Sequence, residues 1–231
     1  MNFLQLAQRL RLECGIGGTG PTTVASQTGE MERLVTWIGA AWQDVQTAHT
    51  DWEWMRASAS FTTVASQATY ALGTIAGTVG VAAASFGRWA RHTGRCYLTA
   101  TGTNDETHID WLGYDEWRDA YQFSAIRASD SRPVAFTVTP GKGIGLGPVP
   151  LVGYTVTLDY YTAPGVLVVD GDIPGMPVEF HLLIVYKAMM MYGAFESAPE
   201  VYQRGELEYG KMMERLRLDR LPEVTMAGPL A

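Results

Sequence analysis

Five carboxylates crowd one stretch of the chain: Asp105, Glu106, Asp110, Asp115 and Glu116. Two carboxyls facing one cleft, one protonated and one ionised, are what hydrolysis of a glycosidic bond requires. A small cell-wall hydrolase using such a pair is therefore one reading of the chain. Their spacing, however, crowds them on or near one short helix, which is the pattern of a solvated acidic face.

Gly141-Lys142-Gly143-Ile144-Gly145-Leu146-Gly147 has the look of a phosphate loop. A Walker loop needs GxxxxGK[ST] between a strand and a helix, so that backbone amides surround the phosphate and the lysine reaches its oxygens. Here Gly143 follows Lys142, no glycine stands five residues before Gly141, and the next element is a strand. The run reads as a flexible hairpin loop. Nucleophilic catalysis is equally poorly supported: there is no GxSxG, and His49, His92, His108 and His181 sit in no catalytic context. His108-x-Asp110 and His92-xxx-Cys96 lack a third metal ligand at an informative spacing. Asp170-Gly171-Asp172 lacks the twelve-residue calcium loop and reads as a turn. The expectation is no catalytic residue, no cofactor and no metal. Cys14 and Cys96 show no metal spacing and read as two free thiols in a reducing compartment; a bridge would need the fold to bring them together.

One basic cluster carries an interleaved aromatic, Arg88-Trp89-Ala90-Arg91-His92-Thr93-Gly94-Arg95. Arg88, Trp89, Arg91 and Arg95 could meet DNA phosphates or an acidic partner, the alternative being a solvated loop. The whole chain has a net charge of −7, which argues against a protein built to grip nucleic acid. A surface that DNA slides past is compatible with it. The 7 Trp, 11 Tyr and 10 Met suit either a core or a partner surface. Met1 to Glu13 is amphipathic and lacks the apolar core of a secretory signal. Tyr70 to Phe86 is apolar, but Gly73, Gly77 and Gly80 make it a poor membrane span; strand and loop are expected there, and no membrane.

The elements that must position these residues read as α+β: a helical bundle with an inserted antiparallel β domain. Helices are expected near 2–13, 29–55, 108–123, 177–195 and 199–217. The first carries Phe3, Leu6, Ala7 and Leu10 on one face. The second has Thr28 as its N-cap and a stripe of Met31, Val35, Ile38, Trp42, Val45, His49 and Trp52 at heptad spacing. Strand chemistry covers 61–64, 68–72 and 95–101, and 133–139 with 154–161 reads as a long hairpin. The bundle takes 1–57, 106–123 and 175–217, and the β domain takes 58–105 and 124–174. The tail, 218–231, mixes apolar anchors with charges and is too short for a core of its own; it reads as a segment that orders on a partner. One hexapeptide, TTVASQ, occurs at 22–27 and again at 62–67. With no third copy and different flanks, it does not indicate a repeat fold.

Six stretches then carry a resemblance. They are Gly18-Thr19-Gly20-Pro21-Thr22-Thr23-Val24, Gln27-Thr28-Gly29-Glu30, Trp37 through Trp54, Asp115-Glu116-Trp117-Arg118, Arg132-Pro133-Val134-Ala135-Phe136, and the junction from Tyr160 to His181. In order and spacing they resemble the head-to-tail adaptor (connector) proteins of tailed bacteriophages, of the type that includes tail tubular protein A. The Gly- and Ala-rich run 71–87 departs from that pattern. The resemblance implies a structural, non-enzymatic virion protein that forms a ring, commonly of twelve subunits, under the portal protein and above the next tail component, a nozzle or tail tube. DNA would pass through its lumen without sequence-specific binding, and assembly would take place in the host cytoplasm. It also implies that the C-terminal segment reaches the portal, which makes Leu218, Arg220, Leu221, Pro222, Val224 and Met226 the candidate docking residues. A host accessory binding protein is the remaining alternative.

Overall fold

The computed structural model describes residues 1–76 and 85–222. The fold is α+β, and the chain divides into two compact units, Met1–Met55 with Pro164 onward, and Arg56–Ala163.

The first unit is helical. Helix α1 (Phe3–Glu13) starts at a capping box in which Asn2 accepts the Gln5 amide at 2.9 Å and Gln5 accepts the Asn2 amide at 3.0 Å. It buries the expected face: Phe3, Leu6, Ala7 and Leu10. Helix α2 (Gly29–Thr47) has Thr28 at its N-cap position, though the threonine side chain makes no capping bond. The helix stops eight residues short of the expected end. The reason is local: Trp52 folds back, donates its indole N–H to the Val45 carbonyl at 3.1 Å and stacks on Trp54. It thereby satisfies a carbonyl that the last helical turn leaves open. His49 and Trp52 thus lie beyond α2, edge to face at 5.0 Å. Helices α5 (Leu182–Phe195) and α6 (Pro199–Arg220) close the unit, with Pro199 in the first turn. The stretch Val178–Phe195 is long and apolar enough to cross a membrane by length and composition alone. Leu183, Ile184, Val185, Ala188 and Met189 are instead buried, and α5 packs against α1, α2 and α6.

The second unit holds all eleven strands found among the described residues. Its larger sheet is antiparallel and centred on β11 (Tyr154–Thr162). β1 (Arg56–Thr62) lies along one side of β11, and β3 (Phe86–Trp89) and β4 (Arg95–Leu98) share the other; β5 (Thr107–His108) follows β4. The second sheet runs β2 (Thr69–Tyr70), β9 (Ile144–Gly147), β8 (Ala135–Val138), β6 (Asp110–Trp111), with β6 and β8 parallel. A two-stranded pair, β7 (Asp130–Ser131) and β10 (Val149–Pro150), completes it. Phe61, Val156, Leu158 and Tyr160 from the first sheet and Tyr70, Phe136, Ile144 and Leu146 from the second belong to one apolar core.

Several expectations are corrected here. The long hairpin 133–139 with 154–161 does not form, because β8 pairs with β9 and β11 belongs to the other sheet. Of the expected glycine loop, 141–143 forms the turn of the β8–β9 hairpin, whereas 144–147 is the buried strand β9. Its glycines admit a helix: a Cβ on Gly145 would come 2.8 Å from the Trp117 ring, and one on Gly147 would strike Tyr121. Helix α4 (Tyr114–Tyr121) is accordingly shorter than expected and packs on β8 and β9, so it belongs to the β unit and not to the helical one. Residues 164–174, expected in the β domain, belong to the helical unit. A five-residue helix, α3 (Leu72–Ala76), replaces part of the strand and loop expected over 70–86; positions 77–84 of that reading lie outside the described residues.

The two TTVASQ copies take the same turn. Ser26 and Ser66 both adopt a positive φ, 55° and 62°, ahead of a helix and a strand respectively.

Candidate assembly surfaces

An exposed apolar ribbon occupies the return of the chain into the helical unit, residues 164–178. Val166, Val168, Val169, Ile173 and Val178 are each 58–70% exposed. The backbone beneath them is bonded along its length. Gln46, buried on α2, accepts the Gly165 amide at 2.7 Å and donates to the Gly165 carbonyl at 2.9 Å. Asp172 accepts the amides of Val168 and Val169 at 2.6 and 2.9 Å, and those two bonds hold its carboxyl below the ordinary value. Asp170 accepts the Val24 amide at 2.6 Å and the Thr23 hydroxyl at 3.0 Å. The carbonyls of Asp172 and Asp170 take the amides of Phe3 and Leu4, two of the donors that the start of α1 leaves unpaired. Leu167 and Met176 point inward and anchor the ribbon.

His181 closes this arrangement. Its Nδ1 lies 2.7 Å from the backbone nitrogen of Met1 and its Nε2 lies 3.1 Å from the Met176 carbonyl. The Met1 nitrogen can only donate, so Nδ1 accepts and Nε2 carries the proton. Burial lowers the pKa of the imidazole and favours this neutral form. A loop fixed this way loses little conformational freedom on contact, which suits it to docking.

The basic turn of the β unit divides in two. Trp89 is a core residue, 3% exposed, donating its indole N–H to the Lys142 carbonyl at 2.8 Å and packing on Phe86 and Tyr160. Its expected partner-facing role is corrected: the register shift between Tyr161 and Thr162 lets Phe86 and Trp89 both turn inward. Arg88, Arg91 and Arg95 remain exposed. Arg88 lies over the Tyr161 ring at 4.3 Å, Arg91 lies over Trp111 at 4.7 Å, and Arg95 faces Glu106 at 3.9 Å. Arg88, Arg91 and Lys142 line an open hollow of about 220 Å³ floored by Phe86 and Trp89.

Of the C-terminal candidates, Leu218 and Arg220 lie on the last turn of α6, which runs three residues past its expected end. Leu218 is 89% exposed, and Arg220 sits 3.7 Å from Glu179 and 2.8 Å from Asp219. Leu221 and Pro222 follow the helix, and Val224 and Met226 lie outside the described residues.

The carboxylates proposed for acid–base work each have their own partner or solvent. Asp105 accepts from Arg132 at 3.0 Å and from the Leu98 amide at 3.1 Å, Glu106 faces Arg95, and Asp110 faces His108 at 3.5 Å. Asp115 and Glu116 are exposed in the first turn of α4. Both cysteines are free thiols, in different units. Burial pushes Cys14 up to about 12 and Cys96 up to about 11, which keeps both protonated and unreactive at neutral pH. Among the described residues, no three His, Cys, Asp or Glu side chains gather as a metal site.

The profile of the SU10 adaptor protein family matches residues 1–231, the entire sequence. The chain belongs to that family. It is thus a tailed-phage head-to-tail adaptor, a structural protein of the virion. No curated protein matches the chain significantly. For this adaptor the surfaces described above are candidate contacts in an assembly. The sequence points to the basic turn 88–95 and the C-terminal segment as contact sites; it reads Asp170-Gly171-Asp172 as a turn and gives no signal for the exposed valines or for Gln46 beneath them.

Proposed function

We propose that the adaptor assembles as a ring of twelve copies beneath the portal protein, joins the capsid to the downstream nozzle or tail-tube protein, and lines the channel through which DNA leaves. The observation that carries this reading is the ribbon, five aliphatic side chains turned to solvent on a backbone already fixed by Gln46, Asp170 and Asp172. Such a patch, presented on a backbone already fixed, suits a subunit that packs in an assembly. The net charge of −7 favours a lumen that DNA passes without being held. Leu218, Arg220, Leu221, Pro222, Val224 and Met226 form a clip on the portal, and Arg88, Arg91 and Arg95 face DNA or the tail partner. Assembly takes place in the host cytoplasm, with no membrane involved.

Native mass spectrometry of the adaptor mixed with its portal tests this. The expected product is a cyclic complex with the portal's own symmetry. Absence of any complex at micromolar concentrations of both proteins would sink the reading. Removing residues 218–231 should leave the fold intact and weaken portal attachment; equal attachment by the shortened chain would move the clip elsewhere.

A further inference from the structure

We infer that the ribbon of one adaptor docks on a second copy of the chain, at the far end of that copy's helix α1, against Leu12 and Leu207. The inference rests on the ring reading above and names the contact between neighbours within it. Three observations lead there.

The first is placement. The ribbon is bonded to the start of α1 through the Phe3 and Leu4 amides. Leu12 lies nine residues along the same helix, about 14 Å away at ~1.5 Å per residue. It is 59% exposed. Beside it Glu13 binds Arg204 of α6, which brings that helix alongside the end of α1, and Leu207, one turn further on α6, is 57% exposed. The apolar ribbon at the start of α1 and the exposed Leu12 at its end, with Leu207 on the helix that Arg204 ties there, therefore present unlike surfaces. A contact between unlike patches propagates head to tail and closes into a ring when the rotation allows.

The second is charge. Residues 164–179 include Asp170, Asp172 and Glu179 and no Lys or Arg; Arg220 faces Glu179, which leaves the two aspartates as the ribbon's net charge. At the far end two cations, Arg9 and Arg204, share the single carboxylate of Glu13, and both remain 46–59% exposed. Ribbon against ribbon would oppose like charges, whereas ribbon against the Leu12 end opposes unlike ones.

The third is area. Five aliphatic side chains about two-thirds exposed offer on the order of 300–400 Å². A stable pair needs about 800 Å² per partner. The contact is thus too small to hold two free molecules together. It becomes effective when a platform sets copies side by side at high local concentration.

The test is a cysteine pair, Val168→Cys with Leu207→Cys in a Cys14→Ser background, assembled on the portal and mildly oxidised. The expected result is a ladder of covalent adaptor multimers, with neither single-cysteine variant giving more than a trace. Ile173→Asp should lower ring occupancy on the portal at least about tenfold while its thermal melt stays that of the parent. A ring that forms without the ladder overturns this contact and leaves the ring reading standing. Capture of Val168→Cys on the portal assigns the ribbon to the portal and also overturns it. Failure of the parent protein to form any ring removes the ring reading and this inference together.

Discussion

Residues 141–150 and 164–177 are both rich in glycine, proline and aliphatic side chains, yet one becomes a buried strand and the other an exposed ribbon. In the first, Ile144 and Leu146 enter the core while Gly145 and Gly147 make room for Trp117 and Tyr121 of α4. In the second, the aliphatic groups stay in solvent, and polar bonds to the rest of the unit hold the backbone instead: Gln46 bonds Gly165, and the ribbon's own Asp170 accepts from Thr23 and Val24. A glycine and proline run is thus fixed by whatever faces it. Apolar cover makes it core, and polar bonds from beneath leave its apolar groups outside.

Substitution at a glycine in each stretch gives the widest contrast. Gly145→Val should lose about 1–3 kcal/mol, because the new side chain must enter the space of Trp117. A Cβ at Gly171 meets nothing within 4 Å, so Gly171→Ala should stay within about 0.5 kcal/mol of the parent. Urea unfolding of the two variants checks both, and equal midpoints would erase the distinction.

A smaller loss is expected at Gln46. Gln46→Ala removes two bonds to Gly165 and should cost about 1 kcal/mol. Hydrogen exchange at the Gly165 amide should quicken while the amides of β9 keep their protection. Slower or unchanged exchange at Gly165 would mean the ribbon is held by something else.

The smallest effect is local and set by pH. The Asp172 carboxyl has its pKa lowered by the Val168 and Val169 amides, so its bonds are fully formed above the ordinary value of 3.8 and are lost as pH falls through the lowered one. Amide exchange at Val168 and Val169 should therefore be protected at neutral pH and released only in that acid window. Asp172→Asn should weaken that protection and flatten its pH dependence. Protection that persisted unchanged through that window in the parent protein would dissociate the carboxylate from the turn.

Much of the helical unit was legible in the sequence. Phe3, Leu6, Ala7 and Leu10 recur at helical spacing and are buried as that spacing requires, and Pro199 marks the start of α6. The end of α2 was not legible, because the heptad spacing continues to Trp52 while the tertiary hydrogen bond from Trp52 to Val45 ends the helix. Strand β9 was hidden by its glycines, whose role depends on Trp117 and Tyr121, distant in sequence. The Asp170-Gly171-Asp172 turn was legible, since it is made by neighbours. The exposure of Val166, Val168 and Val169 was not, because an uninterrupted aliphatic run between prolines has the same signature when it is buried. Trp89 runs against its neighbours for a related reason: arginines at 88 and 91 suggest an outer surface, while the register shift at Gly87 lets Phe86 and Trp89 both face inward.

The β unit enters and leaves the chain at neighbouring points. Its first residue, Arg56, pairs across the sheet with Tyr161, two residues before its last, Ala163. The helical unit is therefore interrupted by a module whose two ends form a narrow stem, and its own fold requires only that the stem be spanned. A module joined through two nearby junctions can be lengthened, trimmed or replaced without moving the residues that flank it. The helices would keep their packing while the inserted part changes to suit a different tail.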